Sequence, residues 1–243
     1  MDSIWDISVK QGFDDEWLKD VIEYFKNKIP MNSAEFYKLA QDVRVNAFTI
    51  SHITLLDVLK DLQNELTKAI SQGLTLDDFK KNSKDILQRR GWTGPLPYKA
   101  DNVYRTNIQT AYMVGRWKQM TDPAVIRHRK YWMYDAINDT RTRPTHLAMD
   151  GKVYPAEHPV WDQWYPPNGF RCRCSVISLT EEDVKRMGLD VDESMPVLAG
   201  TPLLPDKGFA TNPGKAAWQP DLSKYPEGLR NAYLEKTGRK NGL

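Results

Sequence analysis

Cysteine is nearly absent from this chain: two of 243 residues, Cys172 and Cys174, with a single residue between them. Partners that close seldom bond to each other because disulfide geometry resists it, so a disulfide-built secreted fold is excluded and a reducing cytoplasm is expected. No apolar run approaches the roughly 18 residues of a membrane helix, and Met1-Asp2-Ser3-Ile4-Trp5-Asp6 carries no basic stretch followed by an apolar one, so neither a membrane nor a secretory route is expected. Charge of one sign is lacking too. The 34 Lys+Arg against 32 Asp+Glu leave a net charge of +2, too little to argue for nucleic acid from charge alone. Hydrophobic residues reach only 40%, yet there are eight Trp and eleven Tyr. The apolar surface is therefore aromatic more than aliphatic, a composition suited to small cores and extended contact surfaces.

What is present falls into three stretches, taken as 1–94, 95–189 and 190–243. The first reads as helical. Asp14 and Asp15 precede an i, i+3/i+4 stripe from Trp17 through Ile29 that ends at Pro30. Ser33 is expected to cap a second helix through Val43. Ile53–Ile70 repeats leucines at helical spacing as far as Gly73, and Thr75 with Asp78 resembles a capping box for a further helix. The breaker cluster Gly91–Pro97 marks a boundary. A strong helix over Ala100–Met120 follows, stopped by Asp122-Pro123. Strands are expected at Lys130–Ile137, Lys152–Tyr154 and Phe170–Ser178, and a short helix from Thr180 to Gly188. From Asp190 onward Pro and Gly recur so often that the prediction is an extended arm, mobile in the free protein, with a short helix over Pro226–Lys236. The fold class expected is α+β: helical N-terminal region, small mixed domain, extended C-terminal arm.

Chemistry concentrates in 139–174, which holds both cysteines and two of the four histidines. On a strand, residues i and i+2 face the same way, so Cys172 and Cys174 present their sulfurs to one side while Arg171 and Arg173 face the other. With His146 brought in across a turn, these supply three ligands for a tetrahedral structural zinc, and Asp139 or His158 the fourth. The nearby arginines would favour the thiolates. Against this stands the reading of both cysteines as small buried hydrophobes, and of Asp139 as the ion-pair partner of arginines beside a turn. A Cys–His146–Asp139 nucleophilic triad can also be written, but no oxyanion-hole signature accompanies it. His52 and His128 read as ordinary polar residues, and His158-Pro159 as a loop.

Between Lys99 and Arg143, nine basic residues face four acidic ones. Arg105, Arg116, Lys118, Arg127, Arg129 and Lys130 are the candidate contacts to double-stranded DNA, weighed against a solvated face or an acidic protein partner.

An ordered series runs from Tyr104-Arg105-Thr106-Asn107 and Ala111–Arg116, through Tyr131–Tyr134 and Asp139–His146, to Asp150–Tyr154, Pro166–Gly169, Cys172-Arg173-Cys174 and Leu179-Thr180. This series resembles the phage Mu F-like domain of minor head, or head morphogenesis, proteins of tailed bacteriophages. The resemblance implies a structural virion protein rather than an enzyme. It would associate with the portal protein and the major capsid protein in the head interior, and with the host cytoplasm during assembly, supporting DNA packaging or delivery. It also implies a metal site at the matching acid, histidine and cysteines. The competing classes are a metal-dependent nuclease or peptidase of head maturation, which would need an open coordination position and a general base, and a non-catalytic DNA-binding module.

Overall fold

The structure, a computed structural model, describes residues 15–239. The Asp14 helix start and the reading of Met1–Asp6 lie outside the described residues. The amphipathic stripe forms α1 (Asp15–Asn27). The region expected as one helix from Ser33 is instead two single turns, α2 (Ser33–Phe36) and α3 (Gln41–Arg44), and α2 is capped by Asn32 rather than by Ser33. The physical reason is Arg44, whose guanidinium donates to the carbonyls of Phe36 and Tyr37 and so satisfies groups that a continuing helix would use. Two short strands flank these turns, β1 (Ile29–Pro30) and β2 (Ala47–Phe48), paired in parallel.

The leucine repeat forms α4 (Leu56–Gln72), closed by Gly73 in the left-handed conformation. The Thr75/Asp78 capping box is present and starts α5 (Leu76–Arg89). Then comes α6 (Ala100–Met120), the longest described helix and the axis of the protein. Gly115 lets α1 approach it: a Cβ there would run into Val21 and Trp17. On another side Gly214 lies against the Trp117 side chain with the same lack of room.

After α7 (Pro123–His128), the aromatic run forms β3 (Tyr131–Asp135), the centre of an antiparallel sheet in the order β4-β3-β5 with β4 (Val153–Pro155) and β5 (Ser175–Leu179). Register runs from Tyr131 opposite Leu179 to Asp135 opposite Ser175. The two-residue period of a strand sends Trp132 and Tyr134 into the main core. It leaves Tyr131 and Met133 on the other face, beside a small cluster of Val153, Leu179 and Val184. Two single turns, α8 (Pro144–Leu147) and α9 (Trp161–Trp164), sit in the loops between strands. The helix expected after Thr180 is α10 (Glu181–Met187), with a capping box on Asp183 and Gly188 closing it.

The C-terminal stretch departs from an extended arm. Residues 190–212 are mostly irregular, apart from a small hairpin of β6 (Val197–Leu198) and β7 (Thr201–Pro202). The chain then folds back as α11 (Pro213–Trp218), a 3-10 turn (Leu222–Lys224) and α12 (Glu227–Thr237). Trp218 Nε1 donates to the Val114 carbonyl of α6 at 2.9 Å, and Asn46 Nδ2 reaches both the Ala216 carbonyl and Tyr225 Oη at 2.9 Å. Tyr225, Leu229 and Tyr233 are buried against Met31, Val43 and Ala47. The Pro and Gly content conceals this packing because the apolar area is carried by a few aromatics. One core cluster also runs from Trp17 to Ala217, across both boundaries drawn from sequence at 94/95 and 189/190.

Candidate metal centre

Three side chains from two loops meet in the core. His146 comes from α8, whose first turn begins with Pro144 after Arg143 in extended backbone. Cys172 and Cys174 come from the lead-in to β5. The strand starts at Ser175, five residues later than the Phe170 start expected from the sequence, so both sulfurs sit on irregular chain. They share one side all the same. His146 Nδ1 lies 3.8 Å from Cys172 Sγ and 3.4 Å from Cys174 Sγ, and the three ligand atoms fall within 4.8 Å of one another. All three residues are at most 2% exposed.

The irregular lead-in is held from α6. Gln109 Nε2 donates to the Cys174 carbonyl at 2.7 Å, the Arg171 backbone N–H to Thr106 Oγ1 at 3.3 Å, and the Arg171 guanidinium pairs with Asp101. Arg171 itself takes a left-handed φ of 58°. On the outer side Arg173 forms a two-pronged pair with Asp139, at 2.6 and 2.8 Å. Arg141 adds a contact to the same carboxylate at 3.1 Å. These bonds, that of Arg173 foremost, hold the Asp139 carboxyl well below the usual carboxylate range. The same two loops are thus joined twice, by an ion pair outside and by the sulfur–imidazole cluster inside.

Asp139 stands outside that cluster, with its oxygens given to arginine. His158 is likewise elsewhere: its Nε2 lies 3.0 Å from the Glu193 carbonyl, and its Nδ1 accepts from the Val160 N–H. The triad does not assemble either, because among the described residues His146 Nε2 is buried without a hydrogen-bond partner and no carboxylate orients the ring.

The charge state comes from inside the cluster. A hydrogen bond from Cys172 is the main cause that lowers the Cys174 thiol, with His146 and Tyr134 adding to it. The same bond, together with burial, pushes Cys172 well up. The two sulfurs are thus pushed in opposite directions. Of the two arginines expected to favour the thiolates, Arg171 pairs with Asp101, while Arg173 pairs with Asp139 and also attracts the charge of both sulfurs. Tyr134 was legible only as an inward strand residue. Burial first, and the neighbouring sulfurs second, keep its phenol protonated, and it donates to Asn168 Oδ1 at 3.0 Å.

These residues fit zinc. With Zn–S near 2.3 Å and Zn–N near 2.0 Å, tetrahedral coordination separates sulfur and nitrogen by about 3.5 Å, and the two observed separations bracket that value. A buried thiolate beside a thiol is also an environment that a divalent cation would relieve.

The basic residues do not form one free face. At about 100° per residue, Arg116 and Lys118 leave α6 about 200° apart. Arg116 Nε donates to the Val176 carbonyl of β5 at 2.7 Å, while Lys118 pairs with Asp20 of α1 at 2.6 Å and lies over the Trp218 ring. Arg129 caps the Ser178 carbonyl at 2.5 Å. Arg105 is half-buried on α6, and Arg127 and Lys130 are exposed. At least three of the six are thus ties between elements.

Residues 60–177 match the family described as Phage Mu protein F like protein, a span that contains Asp139, His146, Cys172 and Cys174. Among curated proteins, the chain is 30% identical over 263 aligned positions to the putative capsid assembly protein F of Escherichia phage Mu, covering 90% of this chain and 59% of that protein. It is 33% identical over 171 positions to the Mu-like prophage FluMu F protein of Haemophilus influenzae, covering 65% of this chain and 41% of that one. The chain spans about half the length of these relatives. No solved structure matches.

Proposed function

Through residues 60–177 the chain belongs to the Phage Mu protein F like family, and from that premise we propose that it is a structural component of phage head assembly, contacting the portal protein and the major capsid protein. It acts in the virion head and, during assembly, in the host cytoplasm. The observation that supports this reading is the sealed state of its most chemical cluster. A reaction centre needs a path for substrate, whereas His146, Cys172 and Cys174 are at most 2% exposed and sit between two loops that they join. Such a sealed position suits a metal whose binding energy goes into holding the fold, with these residues as three of the four ligands of a tetrahedral site. Zinc, held by those three residues, would supply a rigid crosslink there. DNA contact gains no support from the basic residues, at least three of which serve internal ties.

The test is genetic and visual. A phage or prophage producing this chain is deprived of it, and the particles are examined by electron microscopy with and without a supplied copy. Malformed or empty heads, rescued by the supplied copy, are expected. Normal, infectious heads without the chain would overturn the proposal.

A further inference from the structure

Two surfaces remain open once the core is accounted for. The first is the β6–β7 hairpin. Met195, Val197, Leu198 and Leu204 are 40–62% exposed on and beside it, and the two strands have no third strand as neighbour. Such a hairpin is poorly stable by itself, and its outer edges offer unpaired backbone groups. The segment 187–206 that carries it has four acidic residues and no basic one. Asp192 pairs with Lys152 and Asp206 with Arg143, which leaves Asp190 and Glu193 exposed at its base.

The second is a groove of about 530 Å³ between the α2–β2 stretch, the first half of α6 and residues 207–213. Its charged lining residues are Lys28, Arg44 and Lys207, with no acid among them. Tyr37 and Phe170 are each at least half exposed in its wall, and Phe170 meets Phe209 edge to face at 4.9 Å. Gln41 Oε1 and Thr49 Oγ1, both in lining residues, are buried without hydrogen-bond partners among the described residues.

We propose that the β6–β7 hairpin of one copy seats in this groove of a second copy of the chain. The apolar tip covers aromatic walls, and the acidic base meets Arg44 and Lys207. Hairpin and groove are different surfaces of one chain, so the contact is head-to-tail and continues into a ring or a filament. A stretched aromatic and cationic groove can also take single-stranded nucleic acid. The exposed aliphatic residues of the hairpin, which that reading leaves bare, favour the second copy.

Light scattering across a dilution series of the full chain tests this. Leu198→Asp alters the hairpin only, and Tyr37→Asp with Phe170→Asp alters the groove only. All three positions are exposed, and melting curves check that each variant folds; Lys207→Glu serves as the groove variant if the aromatic pair does not. The wild type is expected to rise with concentration to at least twice the mass of one chain, and each variant to stay at one. An equimolar mixture of the hairpin and groove variants keeps one intact surface on each partner, so it should form pairs and go no further. A wild type that stays at one chain, variants that associate like wild type, or a mixture that does not pair would each overturn the proposal. A monomeric wild type that binds a single-stranded oligonucleotide through the groove would overturn it in favour of nucleic acid.

Discussion

Lys28 is buried without a carboxylate among the described residues: its ammonium meets the Val45 carbonyl at 2.6 Å, Tyr24 Oη at 3.1 Å and two aromatic rings. Burial lowers its pKa from 10.5 to about 7. The unfolded chain then binds more protons than the folded one between those values, so this residue makes stability rise with pH from about 7 to 10.5, and its cost is constant below about 7. Lys28→Met is expected to flatten that slope and raise Tm at neutral pH, since Tyr24 Oη still donates to Val45. An unchanged slope would remove Lys28 as its source. Asp139 gives a second residue-scale test. Because its oxygens are held by Arg173 and Arg141, Asp139→Asn should lower Tm while leaving metal content intact. Metal lost with Asp139 would make it a ligand after all. The cysteines and His146 were readable from residue type and alternation. The ion pair was readable only as an alternative, because choosing between arginine and metal for Asp139 takes the position of Arg173 in space.

At the scale of elements, α6 is packed on several sides, and Gly115 marks its tightest contact. Gly→Ala inside a helix is worth about 0.5–1 kcal/mol in favour of alanine, whereas overpacking a filled core costs typically about 1–3 kcal/mol. The Cβ of Gly115→Ala would meet Val21 and Trp17, so packing should win and Tm should fall. A rise would mean that α1 has room to move away. The long helices were legible because their apolar spacing and stop signals, Gly73, Thr75 with Asp78, and Asp122-Pro123, agree with one another. The break between α2 and α3 was not legible, since it depends on Arg44 folding back onto two carbonyls. β1 and β2 are two residues each, too short to leave a period. The β5 boundary was set late because α6 holds Arg171 and the Cys174 carbonyl away from the ladder.

For the whole molecule, α11 and α12 complete the core. Removing residues 211–243 would uncover Val114 and Trp117 of α6 and the Met31, Val43 and Ala47 cluster. Such a truncation should be insoluble or lack a cooperative melt, and limited proteolysis of the full chain should spare α11 and α12. Early cleavage there would return this segment to an extended arm. The account rests most on the sealed His146–Cys172–Cys174 cluster as a metal-held staple, and one measurement meets that directly: metal content and thermal unfolding on the same purified samples, for the wild type and for Cys172→Ser with Cys174→Ser. About one zinc per chain is expected in the wild type, absent from the variant together with a large fall in Tm. A metal-free wild type with a sharp melt, or zinc retained by the variant, would contradict it.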